Sequence, residues 1–193
     1  MFVDVGEYAK AEEYLHKALI INTEIRGKKG EAASYEYLGN VFTHVGEYAK
    51  AEEYLNKALT INTESGHRHR EASCYINLGN VFTRVGEYAK AEEYLHKALT
   101  INTEIGNRER EASSYISLGN VFTRVGEYAK AEEYLHKALA INTKIGDKHG
   151  EATCYINLGN AFQSVGEYAK AEEYLHKALT INTEIGDKHE EAS

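Results

Sequence analysis

Apolar residues recur along the chain at the spacing of an amphipathic α-helix, in two kinds of run that alternate. In residues 71–85 the apolar side chains of Tyr75, Leu78 and Phe82 follow one another at intervals of three or four, as the core-facing side of a helix requires. We name this predicted segment helix A. A second run with the same period covers residues 88–105 and predicts helix B.

A Gly-Glu pair separates the two predicted helices. Gly86 accepts the left-handed backbone conformation that ends a helix, so a two-residue turn at Gly86 and Glu87 is expected. Gly79 lies inside helix A, where glycine costs about 1 kcal/mol relative to alanine. Its missing side chain, together with the small Ala91 and Ala98, predicts that helix B approaches helix A closely.

The same pair of helices recurs every forty residues, and the units that begin at Gly46 and Gly86 differ at only six of forty positions. Two helices joined by a short turn cannot bury both apolar faces alone, so successive pairs must stack. The predicted fold is therefore all-α, a single solenoid over residues 1–193. Its predicted parts are a truncated unit 1–29, units 30–68, 69–108, 109–148 and 149–189, and a helix stub 190–193.

Composition and charge narrow the functional classes. Hydrophobic residues make up 42% and charged residues 27% of the chain, which supplies enough apolar material for a continuous core. The net charge of −8 comes from interleaved acidic and basic residues, and this argues against a nucleic-acid-binding surface. The sequence has neither a long apolar stretch nor the pattern of a signal peptide. A cytoplasmic protein is expected, with Cys74 and Cys154 reduced and packed in the core.

Three patterns resemble reactive or ligand-binding sites. Gly79 and Gly86 are seven residues apart and no lysine follows them, so they do not form a phosphate-binding loop. Glutamate and histidine recur four residues apart on helix B, as in Glu92 and His96, but a stable metal site needs three or four ligands. The segment 67–70, His-Arg-His-Arg, is expected to be a solvated loop. Because any catalytic set would be copied in several units, we expect no enzyme activity, no cofactor and no metal.

The repeated positions resemble the tetratricopeptide repeat pattern. One set comprises Tyr75, Leu78, Gly79, Phe82, Gly86, Tyr88, Ala91, Leu95 and Ala98. The chain departs from that pattern at Thr103, where the family's repeat closes on proline, and in its period of forty residues instead of about thirty-four. The longer period and the repeated Leu-Gly-Asn resemble the Leu-Gly-Asn repeat-enriched (Pins-type) scaffolds and, more loosely, kinesin light chains. The resemblance implies that the solenoid is a right-handed superhelix of antiparallel helix pairs. It also implies a protein-interaction scaffold whose A helices line a concave groove for an extended peptide of a partner protein.

The resemblance also implies which residues line this groove. An asparagine follows each Leu-Gly pair, and its amide can both donate to and accept from a peptide backbone. One turn later, three of the four repeats carry a basic residue, and arginine can bind a carboxylate with two hydrogen bonds. The implied peptide-binding residues are Asn40, His44, Asn80, Arg84, Asn120, Arg124 and Asn160. Positions near Tyr75, such as Asn77 against Ser117 one repeat later, differ between repeats and are places where binding could be tuned.

The sequence begins within the pattern of a helix A and ends at the start of another, without the polar capping units that solenoids carry. This pattern favours an excerpt of a longer array, with head-to-tail association of copies into an open assembly or filament as the rival reading. The apolar residues expected at the two ends are Phe2, Val5, Tyr8, Leu15, Tyr174 and Ile181. Peptide binding and self-association are thus the two functions that the sequence leaves open.

Overall fold

A computed structural model describes residues 5–24 and 27–191. These residues form nine α-helices and no β-strand, and none of the nine is long and apolar enough to cross a membrane. The helices are α1 (Val5–Glu24), α2 (Lys28–Val45), α3 (Tyr48–Glu64), α4 (Arg68–Val85), α5 (Tyr88–Glu104), α6 (Arg108–Val125), α7 (Tyr128–Ile145), α8 (Lys148–Ser164) and α9 (Tyr168–Glu191). The even-numbered helices are the predicted A helices and the odd-numbered ones the B helices, so the predicted alternation is confirmed.

The chain divides into two compact units, residues 1–101 and 102–193, with the boundary inside α5. In the first unit α2 packs against α1 and α3, and α4 contacts α3 and α2. In the second unit α7 packs against α6 and α8, and α8 also contacts α6 and α9. Within each unit a helix therefore contacts the helices that precede and follow it in sequence. The predicted boundaries of the individual repeats stay predictions.

The turn between helices A and B has the predicted length of two residues. α4 ends at Val85 and α5 begins at Tyr88. Gly86 adopts φ 89° and ψ 7°, the left-handed conformation that other residues rarely adopt. The amides of Gly86 and Glu87 both donate to the Phe82 carbonyl oxygen, at 3.0 and 2.9 Å, and so satisfy the end of α4. The glycine-based turn is confirmed.

Helices A and B of one repeat approach each other at Gly79. A Cβ atom at this position would lie 2.6 Å from Leu95 Cγ and 3.3 Å from the Ala91 carbonyl oxygen, so a larger residue does not fit. The side chains of Ala91, Leu95 and Ala98 are completely buried. Close packing against α5 therefore explains a glycine inside a helix, despite its low helix propensity.

Aromatic side chains fill the space beside this contact. The rings of Phe82 and Tyr94 stack with their centroids 5.4 Å apart, and the ring of Tyr75 lies 5.9 Å from that of Tyr94. Lys97 Nζ lies 5.8 Å and 5.1 Å from the two tyrosine ring centroids and 2.6 Å from a Glu93 carboxylate oxygen. Stacked rings with a cation above them add to the free energy of burial. These residues therefore stabilise the contact between the two helices of one repeat.

A buried asparagine links helix B to the next helix A. Asn142 on α7 is 2% exposed, and its amide nitrogen lies 3.5 Å from Cys154 Sγ on α8. The equivalent Asn102 donates to the Arg110 carbonyl oxygen and the Ser114 hydroxyl oxygen, both at 3.3 Å. Because a buried amide is stable only when hydrogen-bonded, this residue fixes the position of each B helix relative to the A helix that follows.

The A helices begin earlier than the sequence pattern predicts. α4 begins at Arg68, so the prediction that residues 67–70 form a solvated loop is wrong for three of its four residues. The first turn is stabilised by Glu71, which is 6% exposed and pairs with Arg68 at 2.9 Å. A carboxylate near a helix N-terminus also interacts favourably with the helix dipole. The apolar pattern starts only after this charged turn, and for that reason it places the helix start too late.

The last helix is longer than the equivalent helix α7. α9 runs without a break to Glu191 and includes Gly186. At the equivalent point after α7, Gly146 turns the chain with φ 75°, and α8 then packs back on α7. The predicted unit end at residue 189 and the predicted helix stub 190–193 stay predictions.

Replacing Gly79 by alanine tests the close approach of the two helices. Gly79→Ala should lower the free energy of unfolding by about 1–3 kcal/mol, because the new methyl group collides with Leu95. Urea denaturation followed by circular dichroism measures this change. Gly186→Ala is the control, since a Cβ at this helical position meets no atom within 4 Å. It should stabilise α9 by up to about 1 kcal/mol, and equal effects of the two substitutions would contradict the packing role of Gly79.

Candidate functional site

The predicted groove residues lie on the solvent-accessible side of the A helices. The asparagine after each Leu-Gly pair is partly exposed in three repeats and exposed in the fourth, and the residue one turn later is exposed in all four. Positions i and i+4 of a helix share one side. We name this side the A face, formed by Asn40 and His44 on α2, Asn80 and Arg84 on α4, Asn120 and Arg124 on α6, and Asn160 and Ser164 on α8.

On α2 and α8 the later residue of the pair bonds to its own helix. His44 Nδ1 lies 2.8 Å from the Asn40 carbonyl oxygen. The Ser164 hydroxyl donates to the Asn160 carbonyl oxygen at 2.9 Å. These contacts occupy hydrogen-bonding groups that could otherwise bind a ligand. The A face therefore offers fewer hydrogen-bonding groups to a ligand on α2 and α8.

On α4 and α6 the A face keeps its polar groups available. Within the described residues, Arg84 and Arg124 have no hydrogen bond or ion pair, and the same is true of the side-chain amides of Asn80 and Asn120. A guanidinium carries five N–H donors in a planar arrangement, and an amide offers both a donor and an acceptor. The structure thus leaves two matching donor-rich pairs exposed to solvent.

The surface of the B helices is different, because its lysines are paired with carboxylates. Lys97 lies 2.6 Å from Glu93, and Lys137 lies 2.6 Å from Glu133. The hydrogen bond to the glutamate raises the pKa of both lysines. These pairs are exposed and contribute little to stability. They nevertheless neutralise the surface locally, whereas Arg84 and Arg124 form no ion pair with any carboxylate of the described residues.

Side chains next to the asparagines vary among the repeats. Four residues before the asparagine, the first repeat has Glu36, while the later repeats have an isoleucine that is 5% exposed at Ile76 and 38% exposed at Ile156. The neighbouring Tyr37 is 61% exposed. The predicted variation near Tyr75 therefore includes surface-accessible side chains, so different A helices present different chemistry to a ligand.

The glutamate–histidine pairs of the B helices are exposed side-chain contacts. Glu92 and His96 approach to 3.7 Å, and Glu132 and His136 approach to 3.8 Å, with side-chain exposures of 43% to 45%. In the part of the chain that the structure describes, no three metal-binding side chains come together. Two ligands on one helix do not complete a metal site.

The structure describes the side chains of three of the six residues that were predicted at the ends. Phe2 and the side chains of Val5 and Tyr8 lie outside the described residues. Leu15, Tyr174 and Ile181 are partly buried. Tyr174 stacks on Phe162 with ring centroids 5.4 Å apart, so its own helix A covers it. The more exposed apolar side chains of α9 are those of Tyr168, Leu175 and Leu179, which the sequence pattern did not single out.

Both cysteines are free thiols inside the core, which confirms their predicted packing role. Burial raises the pKa of the Cys74 thiol from 9.0 to about 12 and that of Cys154 to about 11. Each accepts a hydrogen bond at 3.5 Å from the buried asparagine of the preceding helix B, Asn62 and Asn142 respectively. Because the thiolate is the reactive form, these buried neutral thiols are not candidates for catalysis.

The sequence profile of the tetratricopeptide repeat family matches residues 2–64, 31–104, 70–144 and 110–184, which overlap along nearly the whole chain. A search of curated proteins found no match. Solved structures that resemble this chain include BtubC (BKLC) from P. vanneervenii, with a TM-score of 0.79 and 26% identity over 94% of this chain and 75% of that one.

Two further solved structures have the same fold at lower identity. A putative kinesin light chain of Podosopora anserina with nearly identical TPR-like repeats has a TM-score of 0.73 and 20% identity, over 94% of this chain and 90% of that one. A Rap protein complexed with Competence and Sporulation Factor has a TM-score of 0.73 and 19% identity, over 92% of this chain and 56% of that one. Together with the repeat profile, these likenesses confirm the predicted class of an all-α repeat solenoid.

Thiol labelling tests the burial of the cysteines. The folded protein should react with Ellman's reagent at pH 8 at least about a hundredfold more slowly than the urea-unfolded protein, because a raised pKa keeps both thiols neutral. Cys74→Ser copies the residue present at Ser114 and should halve the number of thiols that react after unfolding.

Because the folded pKa is raised, the contribution of Cys74 to stability is complete below pH 9.0 and is lost as the pH rises towards about 12. Rapid labelling of the folded protein would contradict this account.

Proposed function

Because the chain belongs to the tetratricopeptide repeat family, we propose that it is a non-enzymatic protein–protein interaction scaffold that binds an extended peptide on the A face. The observation that carries this proposal is the exposure of Arg84 and Arg124 without any partner among the described residues. Unsatisfied cations in an acidic protein favour a ligand that brings carboxylates. The Rap protein, which has the same fold, is itself found in a complex with a partner factor.

The chemistry of each asparagine–arginine pair suits a peptide. The amide of Asn80 can bond to a backbone N–H and a backbone C=O at once. Arg84, one turn later, can bind an acidic side chain or a terminal carboxylate through two parallel hydrogen bonds. Asn120 and Arg124 repeat this arrangement on α6. A chain in extended conformation presents both its backbone groups and its side chains, and so it matches these pairs better than a helix does.

Recognition, not catalysis, is the role that repetition supports. The polar pairs of the A face recur with little change on α4 and α6, whereas an active site needs one unsymmetrical set of acid, base and nucleophile. The proposed scaffold uses no cofactor. A cytoplasmic location is part of the proposal, since that compartment keeps thiols such as Cys74 reduced.

A randomised peptide library tests this function with the full chain and two variants. Asn80→Ala and Arg124→Ala should each lower the affinity of the selected peptides about five- to tenfold, because each removes hydrogen bonds to the ligand. The controls are Asn56→Ala on α3 and Lys144→Ala on α7, which remove an amide and a positive charge, respectively, from B helices. Unchanged affinity in both A-face variants would remove the basis for this proposal.

Self-association is the second candidate function, and a specific contrast within the second unit favours it. Residues 128–146 and 168–186 differ only at two positions, Ala140 against Thr180 and Lys144 against Glu184. On α7, Leu135 is completely buried among residues of α8 and α9. The equivalent Leu175 on α9 is 39% exposed, and Leu179 is 60% exposed. α9 therefore carries an apolar side of the kind that another helix covers in the interior of the array.

Light scattering at increasing protein concentration tests self-association. The average mass should rise with concentration in the parent chain and stay that of a monomer in Leu179→Glu, because a buried charge opposes the contact. Thr180→Glu introduces the same charge on the neighbouring, already polar position of α9 and should behave as the parent. A monomer at every concentration of the parent chain would exclude this second function.

A further inference from the structure

Helix α6 has an arginine near each end, on the side that carries its A-face residues Asn120 and Arg124. Arg110 lies in the first turn and Arg124 in the last, fourteen residues later. Fourteen residues are close to four helical turns, so both arginines lie on the same side of the helix, about 21 Å apart along its axis. Ser113, Ser117 and Asn120 lie between them on that side. Their short side chains leave a shallow surface between two long cationic ones.

Both guanidinium groups are available to a ligand. In the described part of the chain the side chain of Arg124 has no hydrogen-bond or ion-pair partner. Arg110 forms hydrogen bonds only through its backbone N–H and C=O groups. The nearby carboxylate of Glu111 is already bound to Arg108 at 2.7 Å. Among the described residues, neither Arg110 nor Arg124 therefore has a carboxylate as an ion-pair partner.

The other A helices lack this pair of available arginines. On α4, Arg70 lies 3.8 Å from Glu36 of α2, so a carboxylate already accompanies it. Arg110 is the residue equivalent to Arg70 in the next repeat, forty positions later. The residue forty positions after Glu36 is Ile76, which carries no charge. The remaining equivalents of the α6 pair are Gly30 and His44 on α2, and Gly150 and Ser164 on α8.

We propose that α6 binds one extended peptide segment through two carboxylates, one at Arg110 and one at Arg124. This inference rests on the proposed function, since it takes the A face as the peptide-binding surface. An extended chain advances about 3.3 Å per residue, so acidic residues six positions apart are separated by about 20 Å. An even spacing also places both side chains on the same side of the segment, facing the helix. The ligand class is therefore a segment with two acidic residues six positions apart, lying along α6 with its backbone beside Asn120.

The test compares the spacing of two charges at constant composition. Fluorescein-labelled serine–alanine peptides carry two glutamates at positions two, four, six or eight apart, and one further peptide carries a single glutamate. Fluorescence polarisation at low salt, where exposed charges are least screened, measures binding to the full chain. The peptide with a spacing of six should bind about tenfold more tightly than the single-glutamate peptide, and Arg110→Gln or Arg124→Gln should each abolish that gain.

The controls separate this inference from the proposed function. Lys144→Gln removes the same charge from an exposed position on α7 and should leave every affinity unchanged. If no spacing gives a gain but Asn80→Ala and Arg124→Ala still weaken peptide binding, the two-arginine inference is overturned and the peptide scaffold stands. If a gain at six persists in Arg110→Gln, the inference is likewise overturned. If none of the A-face substitutions changes any affinity, both proposals fail.

Discussion

The close approach of a glycine to a leucine is the contact on which the repeat depends. At Gly79 the backbone of helix A comes so near to Leu95 and Ala91 that a single added carbon atom has no room. The distance between the helices is therefore set by backbone and not by interchangeable side chains. The stacked rings of Phe82 and Tyr94, with Lys97 above the Tyr94 ring, pack beside this contact. The equivalent contacts occur at Gly39, Gly119 and Gly159.

A second constraint acts between repeats and is polar. Burial of apolar area favours contact but has no direction, so it does not by itself fix how one helix pair sits on the next. Within the first unit, the buried amide of Asn62 on α3 supplies a direction, because its nitrogen must reach Cys74 Sγ on α4, 3.5 Å away. The side-chain oxygen of the same amide has no hydrogen-bond partner among the described residues, and this lowers the free energy of unfolding. The repeat therefore gives up some stability to define its geometry.

Most of the fold could be predicted from periodicity, because Tyr75, Leu78 and Phe82 follow the period of a helix and Gly86 interrupts it. The start of α4 was missed because its first turn is held by Arg68 and Glu71, not by apolar residues. The buried asparagines were missed because their partners lie twelve residues away on another helix. At the candidate site the sequence indicated Asn80 and Arg84. The sequence did not indicate that Arg70 pairs with Glu36, a contact that distinguishes one repeat from the next. This is a tertiary contact between two helices, so no local sequence pattern predicts it.

The near-identity of the repeats has a consequence for the path by which the chain folds. A helix B that docks on the helix A of the wrong repeat still finds the same glycine and the same aromatic side chains. Among the features that tell repeats apart is the partner of the buried asparagine, a thiol at Cys74 and Cys154 but a hydroxyl at Ser114. Discrimination between correct and shifted docking therefore rests on small energy differences. Out-of-register states with one repeat looped out are the natural kinetic traps of this sequence.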